Sequence, residues 1–297
     1  MADHERSCNK LDEFEVVKHR KRRERRKIRP DLLLEQLTIM DSDEVVDIDR
    51  IKRRIRHCRE DLIASDFFKR IVDTLEKALR CQPRFPVPDT SSSIGQKKGL
   101  SADVPRDLDM LVYGLGNFAT CHIASYQLAL MLALRDQRIV SCDRCDVYDP
   151  RFTWWEKQIL TDEGCSVIPH NEEGKRLCSR PTLVFMPHCG KALFNNFLWA
   201  NWKLDVLTNL VILGNSFSSI ICSLPLQRLK SYNYIQRIQV FMLEDPVTNN
   251  FVHKDIFNDM SIHWFPFSKL QQASLKTWQD TPEPVYDCEE LEIILAS

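Results

Sequence analysis

Leu111-Val112-Tyr113-Gly114-Leu115-Gly116-Asn117-Phe118-Ala119 is the stretch whose reading decides the fold. A short apolar run ends in two glycines one residue apart. An apolar-periodic segment from Thr120 to about Arg138 follows at once. The order is strand, tight turn, helix. The spacing fits G-x-G-x-x-A, a permitted form of the dinucleotide-binding fingerprint. Glycine tolerates positive φ and has no Cβ, so backbone N–H groups can come close to an anion. The first turn of the following helix adds unpaired N–H donors and a partial positive charge. Such a turn can receive a phosphate, a carboxylate or a nucleotide. It can equally serve only to reverse the chain between strand and helix.

Working outward, the same alternation repeats downstream. Cys145-Asp146-Val147-Tyr148-Asp149-Pro150 reads as a second strand with Asp149 at its end. Phe152–Glu163 reads as a helix with Trp154 and Trp155 as core anchors, stopped by Gly164. Cys165–Ile168 is a third strand and Thr182–Met186 a fourth. Pro187-His188-Cys189-Gly190 turns the fourth strand into a helix carrying Phe194, Phe197 and Leu198, with Trp202 among its apolar positions. Asn209–Leu213 is a fifth strand, ending in Gly214-Asn215-Ser216. Short apolar strands alternating with longer helical patterns predict an α/β, Rossmann-like three-layer fold with a mainly parallel sheet. Leu226–Leu243 reads either as one helix or as a helix followed by a strand. Ser261–Phe265 reads as a short edge strand.

Upstream lies an N-terminal helical segment. Ser42 with Asp43 and Glu44 suits a helix start, and Val45, Ile48, Ile51 and Ile55 recur at helical spacing. Ser65-Asp66 opens a second pattern with Phe68, Ile71, Val72, Leu75 and Leu79 on one face. The pair is expected to pack on the main domain, with a partner-binding helix as the alternative. Five regions follow: a basic arm at 1–41, expected to be disordered; amphipathic helices at 42–81; a Pro- and Ser-rich linker at 82–106; the α/β domain at 107–278; and an acidic tail at 279–297.

Charge is unevenly spread along the 297 residues. Residues 1–30 carry eleven Lys/Arg against six Asp/Glu, and the remainder is net −6. Within Lys18–Arg29, Arg22, Arg23, Arg25 and Arg26 are candidates for a nuclear-import signal on an otherwise cytoplasmic protein. Direct nucleic-acid binding is disfavoured: the run has no aromatic residue for base stacking and the body is mildly acidic. The first thirty residues lack the apolar core of a secretory signal, and no apolar run approaches the ~18 residues of a membrane span. Eleven scattered cysteines then read as free thiols in a reducing compartment. Cys142-x-x-Cys145 is half of a zinc signature without its second half, so no metal site is assigned. Gly-x-Ser-x-Gly, Walker and His-Glu-x-x-His patterns do not occur in the sequence.

Ligands of an open parallel sheet sit beyond the carboxyl ends of the strands. The candidate ligand-binding residues placed there are Gly114, Gly116 and Asn117 after strand one, Asp149 after strand two, His188 after strand four, and Asn215 and Ser216 after strand five. Asp149 can accept from ribose hydroxyls, although it stands 33 residues beyond Gly116 where about 20 is usual. It can equally begin a turn before Pro150 and cap the next helix. His188 can do acid–base work or simply close a turn. Neighbouring Cys189 could act as a nucleophile, but adjacent residues seldom face each other, so a Cys–His pair is not implied.

Five separated segments also resemble one family. They are Val-Tyr-Gly-Leu-Gly-Asn-Phe at 112–118, Val-Tyr-Asp-Pro at 147–150, Phe-Met-Pro-His-Cys-Gly at 185–190, Asn-Phe-Leu-Trp-Ala-Asn-Trp at 196–202 and Ile-Leu-Gly-Asn-Ser-Phe at 212–217. With Phe-Asn-Asp at 257–259 and Trp264-Phe265, they are similar to the "sensitivity to red light reduced", or SRR-like, domains over residues 105–267. The resemblance implies regulation rather than a settled reaction: light signalling and the circadian clock in plants, clock-gene expression and regulation of haem biosynthesis in animals. It carries no catalytic residues, so none are assigned. Protein partners are implied, a nucleotide-like small molecule fits the turn, and the cofactor is left open. The alternative is an enzyme using S-adenosylmethionine or NAD(P) at the Gly114–Gly116 turn.

Overall fold

In the computed structural model, which describes residues 46–81, 106–136, 140–141 and 144–286, the apolar run before the glycines is strand β1 (Asp109–Tyr113). Six more strands join it: β2 (Cys145–Tyr148), β3 (Ser166–Val167), β4 (Thr182–Met186), β5 (Leu210–Asn215), β6 (Leu243–Pro246) and β7 (Met260–Trp264). Their order across the sheet is β3-β2-β1-β4-β5-β7-β6. The first five are mutually parallel, and β7 runs antiparallel to both β5 and β6. A separate two-stranded ladder pairs Arg106–Asp107 with Val140–Ser141.

Successive strand residues point to opposite faces, and the two cores divide accordingly. Met110, Val112, Leu183, Phe185, Val211 and Leu213 face one apolar cluster; Leu111, Tyr113, Val184, Met186, Leu210 and Ile212 face the other. Both faces being covered, β1, β4 and β5 are nearly continuous apolar runs, as parallel strands require. The chain is therefore an α/β fold of three layers with a mainly parallel sheet, preceded by an N-terminal helical segment.

That segment consists of α1 (Ile48–Ile63) and α2 (Asp66–Arg80). Asp47 caps the first and Ser65 the second, each accepting a backbone N–H from the first turn. Helix α3 (His122–Arg135) follows the glycine turn, and eleven consecutive residues of it are buried. A helix apolar all round needs cover on both sides. The sheet supplies one side and α1 the other, with Asp61 of α1 accepting the Tyr126 hydroxyl at 2.8 Å. No helix among the described residues is long and apolar enough to cross a membrane.

Two expectations need correction. Trp154 and Trp155 do not anchor the core: they are 64% and 40% exposed, edge-to-face against each other on the first turn of α4 (Trp154–Asp162). The reason is helix phase. Thr153 and Glu156 form a capping box that sets the start of α4, so Glu156, Ile159 and Leu160 turn inward. The expected edge strand is β7, and it is interior. It lies between β5 and β6 with all five residues buried. The edge is β6, whose Glu244, Asp245 and Pro246 are what a protected edge carries.

Trp202 lies just past the end of α5 (Lys191–Ala200) and is buried. The Leu226–Leu243 segment resolves into short helical pieces followed by β6; the two used below are α6 (Phe217–Ser223), which precedes it, and α7 (Asn233–Ile238). Residues 280–286 run extended along α5 and α7. Trp199 Nε1 donates to the Thr281 carbonyl, the Tyr234 hydroxyl to that of Pro282, and Tyr286 bonds to Asn196. The basic arm with Arg22, Arg23, Arg25 and Arg26, the segment 82–105, Cys142 and the tail from 287 onward lie outside the described residues.

Candidate functional site

The sheet order reverses between β1 and β4, so a crevice opens where their carboxyl ends diverge. The glycine turn stands there. Gly114 has φ +74° and Gly116 φ +70°, conformations that side-chain-bearing residues rarely adopt. At Gly114 a second constraint applies: a Cβ would fall 2.4 Å from Cys189 Sγ, on the loop after β4. The missing Cβ leaves room for that thiol against the turn. Leu115 and Phe118 fold inward and are buried.

The loop's polar groups are already held. Asp149 Oδ2 accepts the Gly116 N–H at 2.7 Å, and Oδ1 accepts that of Arg151 at 2.8 Å. Glu156, fully buried, accepts the Ala119 N–H through Oε1 at 2.8 Å. Its Oε2 accepts the N–H and hydroxyl of Thr153. Arg54 of α1 donates to the carbonyls of Phe118 and Ala119 at 2.7 and 2.6 Å. Asn117 Oδ1 turns back to accept from the backbone and hydroxyl of Thr120. Two carboxylates and one guanidinium thus pin a loop of six residues.

The other candidates are distributed along the rim. His188 stands at φ +51° with Nε2 at 2.9 Å from the Ile256 carbonyl, so it faces the loop before β7. Burial pushes the Cys189 thiol well above its usual range, and its sulfur lies 3.4 Å from the Tyr113 carbonyl. A thiol kept protonated is a poor nucleophile. Asn215 ends β5 with its Oδ1 buried and without a hydrogen-bond partner. Ser216 caps α6, accepting from the Ser219 N–H and donating to Glu244 Oε1 at 2.6 Å. Gly114, Gly116 and Asp149 come together at the carboxyl end of β1; Ser216 belongs to a second cluster with Glu244 and His263, and Asn215, paired with Met260, joins neither. Among the described residues, no group of three or more His, Cys, Asp or Glu could hold a metal ion. Two cavities, of about 330 and 190 Å³, lie elsewhere, one between Lys175 and the 283–286 strap, the other between α2 and residues 245–248.

Four residues here were not singled out from the sequence: Arg54, Glu156, Glu244 and His263. Glu156 had a signal, the Thr153-x-x-Glu156 capping box. The others had none, because their partners lie 19 to 65 residues away. Glu244 is the most strongly perturbed of them. Burial alone would raise its carboxyl, but hydrogen bonds from His263, Ser216 and Ser218 outweigh this and bring it down to about 2. The folded-state value lies below the unfolded one of ~4.3. The stabilisation is therefore present above about pH 4 and is lost as pH falls through about 2. We expect Glu244→Gln to remove about 2 kcal/mol of stability at pH 7, discounted for partial solvent access, and to flatten the acid limb of a stability–pH curve. Parallel acid limbs for both proteins would show that Glu244 is not part of it.

A parallel sheet reversing at a glycine turn, with an acidic residue after the adjacent strand, defines a Rossmann-like α/β protein. Within that class the chain belongs to the SRR1 domain family, whose model matches residues 86–264. It is 37% identical over 203 residues to the SRR1-like protein of Mus musculus, covering 65% of this chain and 82% of that one. It is 27% identical over 271 residues to the SRR1-like protein of Drosophila melanogaster, covering 88% and 86%. Protein SENSITIVITY TO RED LIGHT REDUCED 1 of Arabidopsis thaliana is 29% identical over 168 residues, covering 57% of this chain and 56% of its own. The matched region runs from before β1 to the end of β7 and includes all seven candidate ligand residues; α1, which supplies Arg54, lies outside it.

Proposed function

We propose that this protein is a regulator that acts by binding a protein partner at the carboxyl rim of its Rossmann-like sheet, with roles in circadian-clock gene expression and in regulation of haem biosynthesis. The roles come from the family resemblance; the Arabidopsis relative carries reduced sensitivity to red light in its name. One observation carries the preference for binding over catalysis. The N–H groups of Gly116 and Ala119, which a nucleotide phosphate would need, are taken by the carboxylates of Asp149 and Glu156. Asn117, His188 and Ser216 are likewise committed to neighbouring backbone or side chains. A rim whose acids and donors hold its own loops offers shape rather than reactive groups.

A second reading, an enzyme using S-adenosylmethionine or NAD(P), is favoured by topology. The order β3-β2-β1-β4-β5 with Asp149 at the end of β2 is the doubly wound arrangement of nucleotide-binding sheets. An antiparallel β7 inserted between β5 and β6 is also the arrangement of Rossmann-like methyltransferases. Fold alone does not assign chemistry, so titration decides. Calorimetry of the full chain with S-adenosylmethionine and with NADH is expected to show no saturable binding below about 1 mM. Micromolar binding that disappears in Gly116→Val would overturn the partner-binding reading in favour of the enzyme.

A further inference from the structure

We propose that Cys145 and Cys165 form a redox pair, in which a hydroperoxide oxidises Cys165 and Cys145 closes a disulfide between β2 and the edge strand β3. This goes beyond the regulatory reading and does not rest on it.

The juxtaposition follows from strand register. Asp146 pairs with Ser166 and Val147 with Val167 in parallel, so residues 145 and 165 stand opposite each other one step earlier. Both side chains enter the same apolar cluster beneath α3 and are 4% and 5% exposed. Neighbouring strands lie about 4.8 Å apart, within the ~4.4–6.8 Å Cα separation that a disulfide spans.

The two thiols are not equivalent. Arg135, in the last turn of α3, places Nη1 3.6 Å from Cys165 Sγ and is anchored on the Glu163 carbonyl. A guanidinium beside sulfur favours the thiolate. A hydrogen bond from Cys145 is the larger effect, and with Arg135 it holds Cys165 below its usual range against burial and the Glu163 carboxylate. At Cys58 and Cys178 burial outweighs the nearby Arg54 and Arg176 and pushes the thiol up instead, Cys178 to about 11. The thiol itself is turned inward, but its chain neighbours Gly164 and Ser166 are exposed and β3 is a two-residue edge strand.

The chemistry balances with a hydroperoxide as oxidant. The Cys165 thiolate attacks the peroxide oxygen, the O–O bond breaks, and hydroxide or alkoxide leaves with a sulfenic acid on Cys165. Cys145 sulfur then attacks the sulfenic sulfur. The S–S bond forms, the S–O bond breaks, and the Cys145 proton leaves with hydroxide as water. Two thiols are oxidised by two electrons and one peroxide is reduced. The segment closed by this bond contains Asp149 and Glu156, the two carboxylates that hold the glycine loop. Oxidation therefore ties down the anchors of the rim.

Peptide mapping of the full chain tests this. The protein is treated with hydrogen peroxide at neutral pH, remaining thiols are alkylated, and unreduced digests are read by mass spectrometry. The expected product is a Cys145–Cys165 linked pair, lighter by two hydrogens than the reduced peptides. In Cys145→Ser, Cys165 is expected to stop at a sulfenic acid trapped by dimedone. In Arg135→Gln, the oxidation should slow about fivefold or more at pH 7, with Arg135→Lys intermediate. A disulfide from Cys145 to Cys142 instead, or oxidation of Cys165 no faster than that of Cys58, would overturn the proposal.

Discussion

Replacing Gly114 with alanine is expected to cost about 3 kcal/mol of stability, against about 1 kcal/mol for Gly116→Ala. Both glycines stand in the left-handed region, where a Cβ costs roughly 1–2 kcal/mol. The difference is what each Cβ would meet. At Gly116 the nearest atom is the Ala124 methyl at 4.0 Å, an ordinary contact. At Gly114 it is Cys189 Sγ at 2.4 Å, and that sulfur is itself boxed between the carbonyls of Tyr113 and Pro187. Overpacking of this kind costs about 1–3 kcal/mol more. Urea unfolding of the two variants measures the gap. The double change Gly114→Ala with Cys189→Ala should recover the steric part and leave only the backbone strain. Equal losses for the two single variants would mean that the ends of β1 and β4 are not closed on each other as this geometry requires.

Glu156→Ala is expected to cost about 3–4 kcal/mol, more than a helix cap alone. Losing an N-cap interaction costs about 1 kcal/mol. Glu156 does more, because its other oxygen accepts the Ala119 N–H from the glycine loop. A buried donor left without a partner costs roughly 1–3 kcal/mol. Glu156→Gln keeps one acceptor oxygen but turns an amide toward the second donor, so an intermediate loss is expected. Unfolding midpoints give the totals, and amide hydrogen exchange gives the location: the Ala119 N–H should exchange at least tenfold faster in Glu156→Ala. A loss below about 1 kcal/mol with unchanged exchange would show that Arg54, through its bonds to the Phe118 and Ala119 carbonyls, holds the loop unaided.

Both predictions concern positions where local pattern and tertiary contact meet, and they mark how far the sequence could be read. Strand β4 was legible to the residue, because Thr182–Met186 is a buried parallel strand with no polar interruption. Strand β1 was legible because the glycines end it. The tryptophans at 154 and 155 were misread for an instructive reason. Size and apolarity suggest a core position, but the capping box fixes which face of α4 turns inward, and the tryptophans fall on the other. β7 was misplaced because a strand's rank in a sheet depends on what pairs with it. Its second neighbour, β6, carries polar residues that do not announce a strand.

The candidate site divides in the same way. The glycines and Asp149 could be named because chain order alone sends them to one end of the sheet, and Gly116 and Asp149 do meet at 2.7 Å. That Asp149 spends its oxygens on backbone N–H groups could not be read, since a carboxylate's partners depend on distances that spacing does not encode. By itself the sequence determined the layer architecture, the parallel run of the first five strands and the glycine reversal, because hydrophobic period and glycine's missing Cβ act within a few residues. Only the tertiary structure decided that Cys189 packs against Gly114, that Arg54 and Glu156 pin the loop, and that Cys145 stands opposite Cys165. Each of those depends on segments remote in the chain meeting within a few ångströms, where hydrogen bonds and steric exclusion take effect.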